Sequence, residues 1–209
     1  MRNLHLLRWI DTDIFSKRLR LNRIKMKIRT TFFTILLFFS FYSLSAQQFH
    51  GVNTAVIAAS GNQGSTQLNT PQWICEFDAG SSVLSMKAKM AAFGFSADAN
   101  GKAILNEVFF VEANPLIRVD IDFSQLMLQP GSSREESNLS LAVEIRFNNR
   151  EIRTQANISN FRMNPQGIQM GVNIPLNLQE FGLGTPSKHA ANFSNSFNLR
   201  VDQMNMKAR

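Results

Sequence analysis

The chain has one cysteine, Cys75, among its 209 residues. A single thiol cannot close an intramolecular disulfide, so stability must come from packing. Nor can it supply the paired thiols of a structural zinc site. Cys75 also lacks the small-residue context of a lipid-attachment site behind a signal run, and is read as a buried, inert thiol. Histidines number three: His5, His50 and His189. The chain has no His-Glu-x-x-His and no Gly-x-Ser-x-Gly elbow. A triad of His189, a serine and Asp202 is conceivable in space, but no spacing requires it, and no catalytic residue is assigned. Asp120 and Asp122 lie two residues apart on the polar side of one strand and read as solubilising charges. A metal would need more oxygen ligands than these, so neither a metal nor a cofactor is expected.

Excess charge is missing too, once its source is located. The net charge of +7 comes from residues 1–29, which hold nine bases and two acids, leaving 13 of each for residues 30–209. A nucleic-acid partner needs a basic folded domain, and overall charge supplies none. The basic segment runs into an apolar stretch from Phe32 to Tyr42, then Ser43, Ser45 and Ala46. Basic start, short apolar run and small-residue exit describe a secretory signal peptide. The run is shorter than the roughly 20 residues of a membrane span, which favours cleavage near Ala46 over a retained anchor. Met26 is a natural start for such a signal. Residues 1–25 are then an upstream extension from a misassigned start, the alternative being a basic amphipathic helix at a membrane surface. On this reading residues 26–46 are the signal, touching the membrane only transiently, and the protein is periplasmic or secreted. Residues 47–70 form a flexible N-terminal segment, and residues 71–209 form one domain.

What the chain has in quantity is alternation. Ile168, Met170, Val172, Ile174, Leu176 and Leu178 occupy every second position, with Gln169, Gly171, Asn173, Pro175 and Asn177 between them. That is the period of a strand with one dry face, and Pro175 marks an edge, bulge or strand end. The same rhythm runs through Trp73–Phe77, Leu84–Ala92, Ile117–Phe123, Leu139–Phe147, Ile152–Ile158 and Phe197–Val201. Met204 and Met206 have changed parity, which predicts a bulge near Gln203. Asp98 to Gly101 reads as a hairpin turn, Gln129 to Asn138 as a polar loop, and Ala103 to Val111 as a buried strand. About eight short strands with turn signals between them predict an all-β fold, a single antiparallel barrel with a sandwich as the alternative. The methionines on the apolar side, Met86, Met90 and Met170, suit either an ordinary core or a pocket that moulds round a ligand.

The run Asn173-Ile-Pro-Leu-Asn-Leu-Gln-Glu-Phe-Gly-Leu-Gly-Thr-Pro186, followed by Phe197-Asn-Leu-Arg-Val-Asp202, resembles the end of the YceI-like family. That family closes with a strand, a Phe-Gly-hydrophobic step, a loop and a final alternating strand. Leu116 to Leu126 resembles its middle strand, and Phe147 to Ile158 stands where it places a hairpin. By order and spacing the resemblance covers residues 80–207, with Asn148-Asn-Arg-Glu151 in place of the family's usual His-Gly turn. It implies a divergent member with a lipocalin-like barrel, exported to the bacterial periplasm, that binds an isoprenoid or other fatty-acid-like lipid inside. The implied ligand-binding residues are the inward rows: Leu84, Met86, Met90, Val119, Ile121, Phe123, Val143, Ile145, Met170, Val172, Leu199 and Val201. Carrier or sequestering protein is the first reading, and a secreted structural or interaction domain without a small ligand is the second. A hydrolase working through His189 is the third, and a homodimer is left open. N-terminal sequencing of the protein exported from a bacterial host should find Gln47 or a residue next to it at the start; a product beginning at Met1 would refute the cleavage reading.

Overall fold

The computed structural model describes residues 47–94, 97–129 and 131–209; the expected signal and upstream extension lie outside them. Eight antiparallel strands form a closed barrel in chain order. They are β1 (Gln48–Ser60), β2 (Ser65–Asp78), β3 (Val83–Lys89), β4 (Leu116–Asp122), β5 (Arg134–Phe147), β6 (Arg150–Asn164), β7 (Gly167–Asn177) and β8 (Ser196–Ala208). Each strand pairs with the next, and β8 returns to β1. The barrel expected from the alternation is present, and the sandwich is not.

The register follows from which side chains must be dry. Leu84 lies opposite Ile121, and Ile121 opposite Val143; Met86 lies opposite Val119, and Val119 opposite Ile145. A slip of one residue would turn these rows to water, so the pattern pins the pairing. The β5–β6 hairpin turns at Asn148 and Asn149, both at positive φ (50° and 52°), as a tight two-residue hairpin requires.

Three expectations need correction. Residues 47–70 are not a flexible segment: they form β1 and the first part of β2, so the barrel begins at Gln48 rather than residue 71. Their signal is weak because inward positions hold small or polar residues, Asn53, Ala55, Ala59 and Thr70, and because the inward parity changes between Thr70 and Trp73. His50 accordingly sits within a strand. Residues 103–111 are not a strand. Helix α1 spans Ala99–Glu107, and the expected turn at Asp98 is its N-cap, the side chain accepting from Gly101 N at 2.7 Å. Ile104, Leu105, Val108 and Phe109 are all buried, spaced as one helical face. Two boundaries also move. The strand expected over Leu84–Ala92 stops at Lys89 and continues as a 3₁₀ turn, Met90–Phe93, and β5 begins inside the expected polar loop.

Closure occurs at the β1–β8 seam. The ladder is regular at Phe49–His50 and at Val56–Ala59 but breaks between them. Opposite β7 the register changes between Met170–Met204 and Val172–Val201, which places the bulge where the parity switch near Gln203 predicts it. In the break, the buried Asn53 carboxamide stands in for the ladder: Oδ1 accepts from Asn205 N at 2.8 Å, and Nδ2 reaches Cys75 Sγ at 3.4 Å. Gly51 permits the close approach, since a Cβ there would lie 2.3 Å from Asn205 O. Asn53→Ala should therefore orphan the Asn205 N–H and cost about 1–3 kcal/mol in urea unfolding, with Gly51→Ala also destabilising; unchanged midpoints for both would show that the seam contributes nothing.

Candidate functional site: the barrel interior and its cap

All twelve sequence-predicted residues lie inside, on two facing walls. Leu84, Met86, Val119, Ile121, Val143 and Ile145 come from β3, β4 and β5, with Phe123 just past β4. Met170, Val172, Leu199 and Val201 come from β7 and β8 on the other side of the ring. Met90 sits at the upper end, in the 3₁₀ turn after β3. None of the twelve is more than 3% exposed. A channel open to solvent would expose its lining well beyond this, so the twelve line no open channel and belong to one contiguous apolar core.

Phenylalanines close the interior at both levels. Low in the barrel, Phe77 and Phe123 meet edge to face at 5.5 Å between centroids, and Phe123 meets Phe161 at 5.5 Å. High in the barrel, Phe109 meets both Phe193 and Phe197 edge to face at 5.7 Å, and Phe147 meets Phe181 at 5.6 Å. The upper cluster belongs to a cap made by two insertions, the α1 segment between β3 and β4 and the residues between β7 and β8. Sequence reasoning missed this cap. The helical spacing of Ile104, Leu105, Val108 and Phe109 was the signal for it.

A polar latch joins the two insertions. His189, 7% exposed, places Nε2 2.9 Å from Oε2 of the half-exposed Glu107, and Lys188 pairs with the same oxygen. Hydrogen bonds from Lys188 and then His189 hold the Glu107 carboxyl below its ordinary range. The ring of His189 is thus engaged by a residue of the cap, not by a serine or Asp202.

The wall itself is incomplete at one place. β6 pairs with β7 only from Asn157 to Asn164. Above that, Ile152 and Thr154, which oppose Ile145 and Val143 across β5, are only half-buried. On the other side of this gap β7 keeps only β8, and Pro175 sits there opposite Asn198. Its missing N–H therefore costs no ladder bond towards β6, in keeping with the edge expected at Pro175.

The polar exceptions inside gather on β1 and β2. Asn53, Thr70, Trp73 and Cys75 are all buried, and the Trp73 Nε1 donor has no partner among the described residues. Burial pushes the Cys75 thiol up to about 12, although the hydrogen bond from Asn53 works the other way. At neutral pH it stays protonated and unreactive. Outside the barrel, Asp120 accepts from Ser85 Oγ at 2.6 Å and Asp122 caps Ser124 N at 2.7 Å. Both carboxylates serve the surface of the strand.

Comparison with solved structures gives the same architecture. A polyisoprenoid-binding domain from Saccharophagus degradans superposes with a TM-score of 0.57 at 8% identity, over 78% of this chain and 99% of that one. BcnA of Burkholderia cenocepacia superposes at 0.54 with 11% identity, over 76% and 99%. This chain has the fold that its YceI-like resemblance implies. At such identities the likeness is one of fold, and no residue role transfers with it. A YceI protein of Campylobacter jejuni aligns over 64% of this chain and 80% of its own at 11% identity, with a TM-score of 0.43. No protein-family model and no curated protein matches the chain.

The latch makes the cap acid-sensitive in a defined direction. A carboxyl depressed in the folded state stabilises above its unfolded value and loses that contribution as pH falls through the folded value. Amide exchange in residues 99–109 and 187–193, measured relative to the unprotected rate at each pH, should therefore stay slow from pH 7 to about 5 and accelerate below about 4. Glu107→Gln should accelerate it at pH 7; equal exchange in the variant and the parent would remove the latch.

Proposed function

We propose that the chain is an exported bacterial protein that takes an isoprenoid or other amphiphilic lipid into its barrel, as a carrier or sequestering protein rather than an enzyme. The observation that carries this reading is the interior. Its walls are apolar from the Phe77–Phe123–Phe161 level to the cap, and the polar exceptions lie together on one wall, where the buried Trp73 donor has no acceptor among the described residues. A hydrocarbon chain suits the first feature, and the polar end of an amphiphile the second. The shared fold with a domain described as polyisoprenoid-binding supports the same reading. Each methylene withdrawn from water contributes about 0.8 kcal/mol, so ten give roughly 8 kcal/mol before ordering costs. That corresponds to micromolar affinity at best. The closed packing adds a further cost, since a guest must part side chains that now touch. Met86, Met90 and Met170 can repack more readily than the β-branched Val and Ile beside them, and the β6–β7 gap and the cap are the two places where the shell is held by few strand hydrogen bonds.

A second reading keeps the barrel and drops the ligand. It is favoured by the exposure of 3% or less along all twelve inward residues, which suits a structural or interaction domain. Native mass spectrometry of protein purified without detergent separates the two. The lipid reading expects an adduct removable by solvent extraction, and a higher melting temperature when farnesol is returned to the stripped protein. Identical masses before and after extraction, with no thermal response to farnesol, would leave the second reading.

A further inference from the structure

The upper end of the barrel carries an outward surface that the interior does not explain. Two large apolar side chains are exposed there: Phe110, 49% exposed, and Leu116, 57% exposed. Phe110 sits at φ 49°, a left-handed backbone that a phenylalanine adopts only under strain. Its neighbour Phe109 turns into the core while the Phe110 ring stands in water. The Phe110 carbonyl accepts from Ala113 N and Asn114 N, and that turn leads into a groove of about 600 Å³ whose apolar lining is Ala113, Pro115, Leu116, Ile117 and Phe147, with Asn148, Asn149 and Glu151, the partner of Arg146, also on its wall.

Cations edge the groove. Lys87 is directly opposite Arg118, and Arg118 directly opposite Arg146, on the outer face of β3, β4 and β5; Lys89 is opposite Leu116. Three like charges abreast are unfavourable in a sheet without a counter-charge. Arg146 is answered by Glu144 and Glu151, and Lys87 lies 3.8 Å from Glu76. Lys89, Arg118 and the exposed Arg150 have no ion pair among the described residues.

We infer that this end of the barrel docks on an anionic lipid bilayer, with Phe110 and Leu116 entering the interface and Lys89, Arg118 and Arg150 meeting lipid headgroups. Exposed aromatic and aliphatic side chains rimmed by bases are what an anionic membrane surface attracts. Among the described residues no helix is long and apolar enough to cross a membrane, and the contact is superficial. A second copy fits worse, because a two-fold contact through the groove would set one cationic row against another. A nucleic acid would leave the apolar floor unused. The surface stands whether or not the interior takes a guest.

The test uses the full chain with bimane attached to Ala113→Cys in the groove, and to Ser133→Cys in the loop at the opposite end. Labelling is selective because Cys75 is buried. Vesicles are phosphatidylcholine alone or with about one-quarter phosphatidylglycerol. All samples share residues 1–46, so differences between labels and variants report the groove. The expected result is a blue shift at position 113 with the anionic vesicles only, with no shift at position 133. The Lys89→Glu/Arg118→Glu double variant should lose the shift at position 113, at an unchanged melting temperature. Lys89→Arg/Arg118→Lys should behave as the parent. The inference is overturned if position 113 stays in water, if it shifts equally on neutral vesicles or in the charge-reversed variant, or if the shift appears without vesicles together with a dimer in light scattering.

Discussion

The barrel depends on β1 and β8 meeting. An open sheet of eight strands would present two bare edges and leave its dry face to find another partner, whereas closure removes the edges and turns that face into one shared interior. The meeting is not a simple ladder. It is regular at both ends of the seam and broken in the middle, where a bulge in β8 lies near Asn53, and the Asn53 side chain supplies the hydrogen bond that backbone pairing does not. Gly51 lets the two backbones approach there. One buried polar side chain and one missing Cβ thus bridge the break in the seam.

The same closure sets the terms on which the interior can be used. Seven of the eight strand junctions join chain neighbours, and the two long insertions meet over the upper end. Strand pairing resists opening because many hydrogen bonds must break together. The cap is held instead by aromatic edges and by a half-exposed carboxylate shared between His189 and Lys188, and the upper part of the β6–β7 junction has no ladder. Opening is therefore cheapest at the upper end, where Phe110, Leu116 and their flanking bases also face outward. Entry to the interior and attachment to a lipid surface would then fall on the same side of the molecule.

Some of this was legible before any coordinates. Leu84, Met86, Val119, Ile121, Val143 and Ile145 read as inward residues because strands show a period of two, and they are inward. The parity change at Met204 and Met206 marked a real bulge, and Cys75 is buried as a lone thiol of this kind should be. Residues 47–70 were not legible, because Asn53, Ala55, Ala59 and Thr70 occupy inward positions without looking apolar. Residues 103–111 were misread because a short apolar run suits a buried strand as well as a helix, and the cap that distinguishes them, Asp98 on Gly101 N, also resembles turn chemistry.

By itself the sequence determined the strand rhythm, the dry face of most strands and the absence of thiol staples or an evident catalytic motif. These depend on neighbouring residues, because side-chain direction along an extended backbone alternates locally. Only the tertiary structure decided that the strands close, that α1 becomes part of a cap, and that the inward rows are shut off from solvent. Those outcomes rest on bonds between residues far apart in the chain, 152 positions from Asn53 to Asn205 and 82 from Glu107 to His189. No local pattern encodes such pairs; they exist only once the barrel has brought its two ends together.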